Sequence, residues 1–185
     1  MRLPASWQAG LLLAVLSVLG TVLPDALAAL EWQRAAIAGG QWGRLFTGHF
    51  AHLGAHHLLF NLLGLALIVD LLLEDWSFAA TLALAAASAL GISVLLWWLE
   101  PDLQWYAGLS GLLHGLWAGA ALAGWLRRHQ PMALAALLAL AIKLAVLNAG
   151  DGSMPVVPMA HVYGAASGLL WAVLCHAGSR LWHFE

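Results

Sequence analysis

Between Ser77 and Trp98 the sequence reads SFAATLALAAASALGISVLLWW, 22 residues without a charged side chain. In water such a stretch has no polar face to present. In a bilayer it has only to satisfy its own backbone, which a helix does internally, and about 20 apolar residues span the hydrocarbon core. Punctuation by Pro, Gly and charges gives six such segments: 9–29, 52–73, 77–98, 110–126, 132–148 and 160–182. The expectation is an all-α bundle of six transmembrane helices, one integral membrane domain over residues 1–185. The chain is 63% hydrophobic and 9% charged, against roughly a quarter charged in soluble domains. Seven basic residues are scattered along it and the net charge is −2, which argues against a nucleic-acid partner. The single Cys175 forbids an internal disulfide and reads as a small core or lipid-facing residue.

The N-terminal stretch has a basic start, an apolar middle and Ala26-Leu27-Ala28, the pattern of a signal-peptidase site. Because the rest of the chain is multispanning, it is read as an uncleaved first span. With the N-terminus cytoplasmic, Arg2, Arg127, Arg128 and Arg180 fall inside and Arg34 and Arg44 outside, a weak fit to the positive-inside rule. Glu100, Asp102 and Asp151 then face outward, Glu74 and Asp75 inward.

A firmer inference is independent of orientation. Spans two, four and six run the same way, and the polar residues cluster at their starts. His52, His56, His57 and Asn61 open the second, Ser110 and His114 the fourth, and His161 the sixth. They share one side of the membrane and roughly one depth, where polar side chains face a cavity or a partner. Gly111, Gly115 and Gly119 recur every fourth residue on the fourth span, as do Ala160, Gly164 and Gly168 on the sixth. Small residues at this spacing let backbones approach closely in lipid, so these two spans are expected neighbours, with Ser110 beside His161.

A hydroxyl beside a neutral imidazole can attack a carbonyl, the ring taking the proton and later returning it. No carboxylate lies at the same depth, so a Ser110–His161 dyad is expected rather than a triad. The new helix after Gly108 and Leu109 presents free N–H groups, among them those of Leu109 and Ser110, toward developing negative charge. His57 and Asn61, four apart on one helical face, can donate as well.

These residues resemble the rhomboid family of intramembrane serine proteases over nearly the whole chain. GLSG is similar to the rhomboid nucleophile motif, implying Ser110 as nucleophile. AHVYGAASG resembles the sixth-span motif, implying His161 as base with Gly164 and Gly168 behind it. HLGAHHLLFN resembles the second-span pattern, implying His57 and Asn61 at the oxyanion, with His52 matching an earlier histidine. QWGRLFTGHFAH resembles the Trp-x-Arg element of the first loop, at Trp42 and Arg44.

One position departs. Rhomboids commonly carry a tyrosine four residues after the nucleophile, and here it is His114. With the short chain, this resembles the rhombosortase branch. That resemblance implies single-span substrates bearing a C-terminal Gly-Gly, hydrophobic and basic tail, a bacterial inner membrane, and a site facing the periplasm. No cofactor and no metal is implied. His114 either replaces the aromatic shelf or donates a hydrogen bond to His161 or substrate. Gly-Gly is also physically apt, because glycine costs about 1 kcal/mol relative to Ala inside a helix and such a pair unwinds readily. Glu74 and Asp75 could meet a basic tail.

Other residues read more plainly. His49 and His56 are expected in a water-facing loop and helix start, and His129, His176 and His183 at the inner boundary. Trp7, Trp76, Trp125 and Trp182, with Trp97, Trp98 and Trp105 opposite, read as interfacial anchors. Lys143 lies near the end of its span and is expected to snorkel to the headgroups, and Asp70 to do the equivalent. Two alternatives stand against the protease. His49, His52 and His56, at i, i+3 and i+7, could bind a metal with His114 or His161 in a transporter or membrane metal-dependent hydrolase. An inactive relative that only binds transmembrane segments is the other.

Overall fold

The computed structural model describes residues 3–148 and 157–181, with 147–148 and 179–181 described by their backbone only. Arg2, Asp151, Trp182, His183 and the side chain of Arg180 lie outside the described residues.

In chain order the elements are α1 (Ala5–Val22), α2 (Ala26–Leu30), β1 (Trp32–Gln33), α3 (Arg34–Ala38), α4 (Arg44–Thr47), α5 (Ala55–Leu72), α6 (Phe78–Leu99), β2 (Trp105–Tyr106), α7 (Ser110–Arg128), α8 (Pro131–Asn148) and α9 (Pro158–Leu181). Among the described residues four stretches are long and apolar enough to cross a membrane: α1, α5, α6 and residues Pro158–Gly178 of α9. In α8 the apolar stretch is described over Pro131–Val146. The fourth expected span, α7, carries Ser110, His114, Arg127 and Arg128 and is buried along most of its length. A helix surrounded by protein needs no lipid-facing stripe, so its composition can be spent on glycine and polar groups.

Five of the six expected segments match helices to within three residues at either end. The first does not. Instead of one span over 9–29, α1 stops at Val22 and a short α2 resumes at Ala26. Pro24 cannot continue a helix and restricts the residue before it, and Asp25 turns the chain with φ of 57°.

The segment from α2 to α4 folds back onto the bundle. Trp32 pairs with Tyr106 and Gln33 with Trp105 in a two-stranded antiparallel ribbon. The Arg34 guanidinium donates to the carbonyls of Leu96, Trp97, Glu100 and Leu103. It thereby caps the C-terminus of α6, where the last carbonyls have no helical partner, and it lies over the rings of Trp32 and Trp97. Arg44 donates to the carbonyls of Ala28 and Glu31 and to Gln41 Oε1. Neither arginine is a loose topological charge. Trp42 is exposed.

The closest helix pair is α7 with α9, as the glycine spacing predicts. A Cβ on Gly164 would overlap the Gly111 carbonyl oxygen, and one on Gly168 that of Gly115. From the other side, a Cβ on Gly111 would sit 2.9 Å from the Ala160 oxygen and one on Gly119 2.9 Å from that of Gly168. The backbones are in direct contact, which fixes the register of Ser110 against His161. Around this pair, Leu65, Val69, Leu84, Leu112 and Leu116 form the main core, with Leu13 of α1 packed into it.

Candidate active site

The starts of α5, α7 and α9 converge, as their common direction requires. Ser110 Oγ, in the first turn of α7, lies 2.8 Å from His161 Nε2, in the first turn of α9. His161 is buried, and its Nδ1 has no hydrogen-bond partner among the described residues. The ring of His114, one turn beyond Ser110, stacks on that of His161 with centroids 4.3 Å apart.

The loop before Ser110 is held from several directions. Gly108 adopts φ of 129°, a conformation that favours glycine. A Cβ there would also meet the His57 ring at 2.7 Å. The Gly108 N–H donates to the Gly48 carbonyl, and the buried Tyr106 hydroxyl donates to the Gly108 carbonyl at 2.7 Å. Burial pushes the Tyr106 hydroxyl pKa above its ordinary value, which keeps it a donor. The Leu109 N–H approaches His52 Nε2 at 3.4 Å, the long end of hydrogen bonding. His52 Nε2 must then be unprotonated, and burial together with the neighbouring His57 lowers its pKa to about 4. The His52 and His57 rings meet edge to face at 5.0 Å.

His57 Nε2 and Asn61 Nδ2 are buried polar atoms with no partner among the described residues. Buried polar atoms are nearly always paired, and the Asn61 amide, which lines the same groove as Ser110, is free to meet an acceptor entering there. Asn61, Ser110 and His114 line a groove of about 630 Å³ that runs between α5 and α8, walled by Phe60, Leu67, Met132 and Ala136. The Trp117 indole N–H donates to the Ala136 carbonyl and ties α7 to α8 at its floor.

Several expectations need correction. Lys143 does not snorkel: its Nζ lies 3.0 Å from His114 Nε2, and it lines the same groove as Ser110. His49 is not water-facing but fully buried, its Nε2 bridging the Ala89 carbonyl and Ser93 Oγ. Burial lowers the His49 pKa to about 4. His49 and His52 precede α5, so with exposed His56 they share no helical face. Among the described residues no group of three His, Cys, Asp or Glu could hold a metal ion. At the opposite end Asp75 is paired with Arg128 at 2.6 Å on the surface. Sequence reasoning assigned nothing to Tyr106 and misassigned Lys143. Tyr106 lies four residues before the serine, but only the ribbon with Trp32 turns it inward.

Residues 39–178 match the Rhomboid domain family. The chain is also 30% identical over 145 residues to "Putative rhomboid protease YdcA" of Bacillus subtilis (strain 168), covering 75% of this chain and 70% of that protein. The chain belongs to the rhomboid family, whose members are intramembrane serine proteases.

Proposed function

We propose that this rhomboid-family chain is an active intramembrane serine endopeptidase with six membrane spans, using Ser110 and His161 as a dyad. The observation that carries the reading is the 2.8 Å contact between Ser110 Oγ and His161 Nε2. For Nε2 to accept the hydroxyl proton, Nδ1 carries the ring hydrogen. Oγ then bonds to the scissile carbonyl carbon, and the electron pair of the C=O moves onto oxygen. In this reading His57, Asn61 and the N–H groups of Leu109 and Ser110 receive that oxyanion, the Leu109 N–H exchanging its long contact to His52 Nε2 for the new charge. The orphaned His57 Nε2 and Asn61 Nδ2 support this assignment, since a developing charge would supply the partner they lack. Collapse expels the amine, which takes the proton from His161. Water, or an amine from another chain, then attacks the acyl-enzyme and regenerates Ser110.

The groove between α5 and α8 is apolar and opens beside Ser110, which suits a substrate span lying along it with an unwound end at the serine. Resemblance to the rhombosortase branch points to single-span proteins with a C-terminal Gly-Gly, hydrophobic and basic tail. It points also to a bacterial inner membrane with the site facing the periplasm. Because Asp75 is already met by Arg128, Glu74 is the better candidate to receive a basic tail.

The test is fluorophosphonate labelling of the purified chain, with and without Ser110→Ala or a chelator, followed by cleavage of a Gly-Gly-tailed single-span substrate in proteoliposomes. Labelling that depends on Ser110 and ignores the chelator is expected. Labelling that survives loss of the hydroxyl would refute the dyad.

A further inference from the structure

Lys143 is the one cation of α8 (Pro131–Asn148), and it is turned toward the histidine pair. A lysine this near a span end can reach the headgroups by its flexible stem, yet here it meets a ring nitrogen. The hydrogen bonds around that ring fix its proton. His114 Nδ1 lies 2.7 Å from the Ser110 carbonyl oxygen, which can only accept, so Nδ1 bears the hydrogen. His114 Nε2 lies 3.0 Å from Lys143 Nζ, and an ammonium can only donate, so Nε2 presents its lone pair. With Lys143 charged, one protonation state of the ring satisfies both contacts: neutral imidazole, Nδ1–H tautomer.

We infer that Lys143 is a positioning residue that holds His114 neutral as the Nδ1–H tautomer, so that His161 is faced by an uncharged ring when it takes the Ser110 proton. The inference rests on the protease reading of the dyad. His114 and His161 stack 4.3 Å apart at 22°. Two imidazolium rings in that arrangement would repel at close quarters, whereas a neutral π face accommodates a cation. Protonating His114 would require a second N–H at Nε2, directed at an ammonium, and Lys143 therefore opposes it. Lys143 does not compete with His161 for the serine proton, because its contact is with the ring behind. The arrangement also joins α8 to the reacting pair: if α8 moved off α7, His114 would lose the partner that fixes its proton.

The test is a double-mutant cycle on the full chain in proteoliposomes, read as the rate of fluorophosphonate labelling at Ser110. Lys143→Met should slow labelling about tenfold, and Lys143→Arg, which keeps a cationic donor, should stay within about threefold of wild type. In a His114→Phe background, where no ring nitrogen remains to hold, Lys143→Met should change the rate by less than about twofold. An unchanged rate in Lys143→Met, or an equal loss in both backgrounds, would overturn the inference while leaving the dyad intact. Labelling that ignores Ser110→Ala would overturn both. A second readout is taken on the wild-type protein itself. The 15N ring signals of His114 in the wild-type protein, identified by their loss in His114→Phe, should report the Nδ1–H tautomer. An imidazolium or an Nε2–H ring there would overturn the inference by itself.

Discussion

The His114 ring lies 4.3 Å from the His161 ring and nearly parallel to it. Both nitrogens of His114 are engaged elsewhere, one by the Ser110 carbonyl and the other by Lys143. Neither is left to donate to His161. Of the two roles the sequence leaves open at this position, the geometry favours the shelf. The Trp117 ring also lies near that of His114, with centroids 6.4 Å apart and 29° between the planes.

Replacement of His114 should therefore depend on ring shape more than on basicity. His114→Tyr keeps a platform and should retain measurable cleavage. His114→Ala removes it, and stacked aromatic pairs are worth about 0.5–1.5 kcal/mol beyond burial, a loss of about 2- to 12-fold in rate. Steady-state cleavage of one transmembrane substrate by both variants checks the order. A Tyr variant weaker than the Ala variant would contradict the shelf.

The glycine seam between α7 and α9 predicts a stability effect without new chemistry. Gly164→Ala would place a methyl group against the Gly111 carbonyl and force the backbones apart. Overpacking of this kind typically costs about 1–3 kcal/mol, and it would also lengthen the Ser110–His161 contact. Unfolding in mixed micelles should show the loss. Gly178→Ala, on the same helix but with no atom of the described residues within 4 Å of the added Cβ, should be close to neutral.

Arg34 should be irreplaceable by lysine. Its planar fork reaches four carbonyls at and just beyond the end of α6 while lying over two tryptophan rings. A lysine offers a point charge and no plane. Arg34→Lys should cost about 2 kcal/mol, the scale of a hydrogen bond to a charged group. The same unfolding measurement checks it, with Arg44→Lys as a comparison in a more exposed setting.

His49 gives a pH dependence of stability. Burial holds its folded-state pKa at about 4, below the ordinary 6.5, despite the opposing bond to the Ala89 carbonyl. The unfolded chain thus binds more protons between those values, and stability rises with pH there. The contribution is fully present above about pH 6.5 and is lost as pH falls toward 4. At 1.36 kcal/mol per pKa unit the span amounts to about 3 kcal/mol, with His52 adding in the same direction. Unfolding midpoints at pH 7 and pH 5 should differ clearly in wild type and less in His49→Gln. Equal differences would remove His49 from the account.

These cases show what the sequence can carry. Ser110 and His161 were legible together because parallel spans must deliver their first turns to one side, and a four-residue glycine spacing sets the approach of the two backbones. The register of α7 against α9 follows from the same spacing. Arg34 and Tyr106 were not legible, because their roles depend on a two-residue ribbon between segments 74 residues apart, too short to leave a periodic signal. Lys143 was misplaced for a related reason. Depth along a span predicts how far a side chain must reach for water, but not that a ring 29 residues earlier lies closer. His49 read as a loop residue because hydropathy cannot tell a loop in water from one folded back onto α6. The break after Val22 is marked in the sequence by Pro24, but the apolar residues on either side mask it.

The orphaned donors lead to the most discriminating kinetic expectation. Asn61 is buried, and its Nδ2 has no partner in the resting arrangement among the described residues. A donor that finds its acceptor only when the carbonyl oxygen becomes an oxyanion contributes to the transition state and not to substrate binding. Asn61→Ala should accordingly lower kcat by about 100- to 1000-fold, the cost of one oxyanion donor, with KM nearly unchanged. Asn61→Asp, similar in shape but presenting negative charge to the oxyanion, should fall at least as far. Cleavage rates across a range of substrate densities in the membrane separate the two constants. A rise in KM at constant kcat would mean that Asn61 holds the substrate in its ground state, and the oxyanion assignment would pass to His57 and the backbone N–H groups of residues 109 and 110.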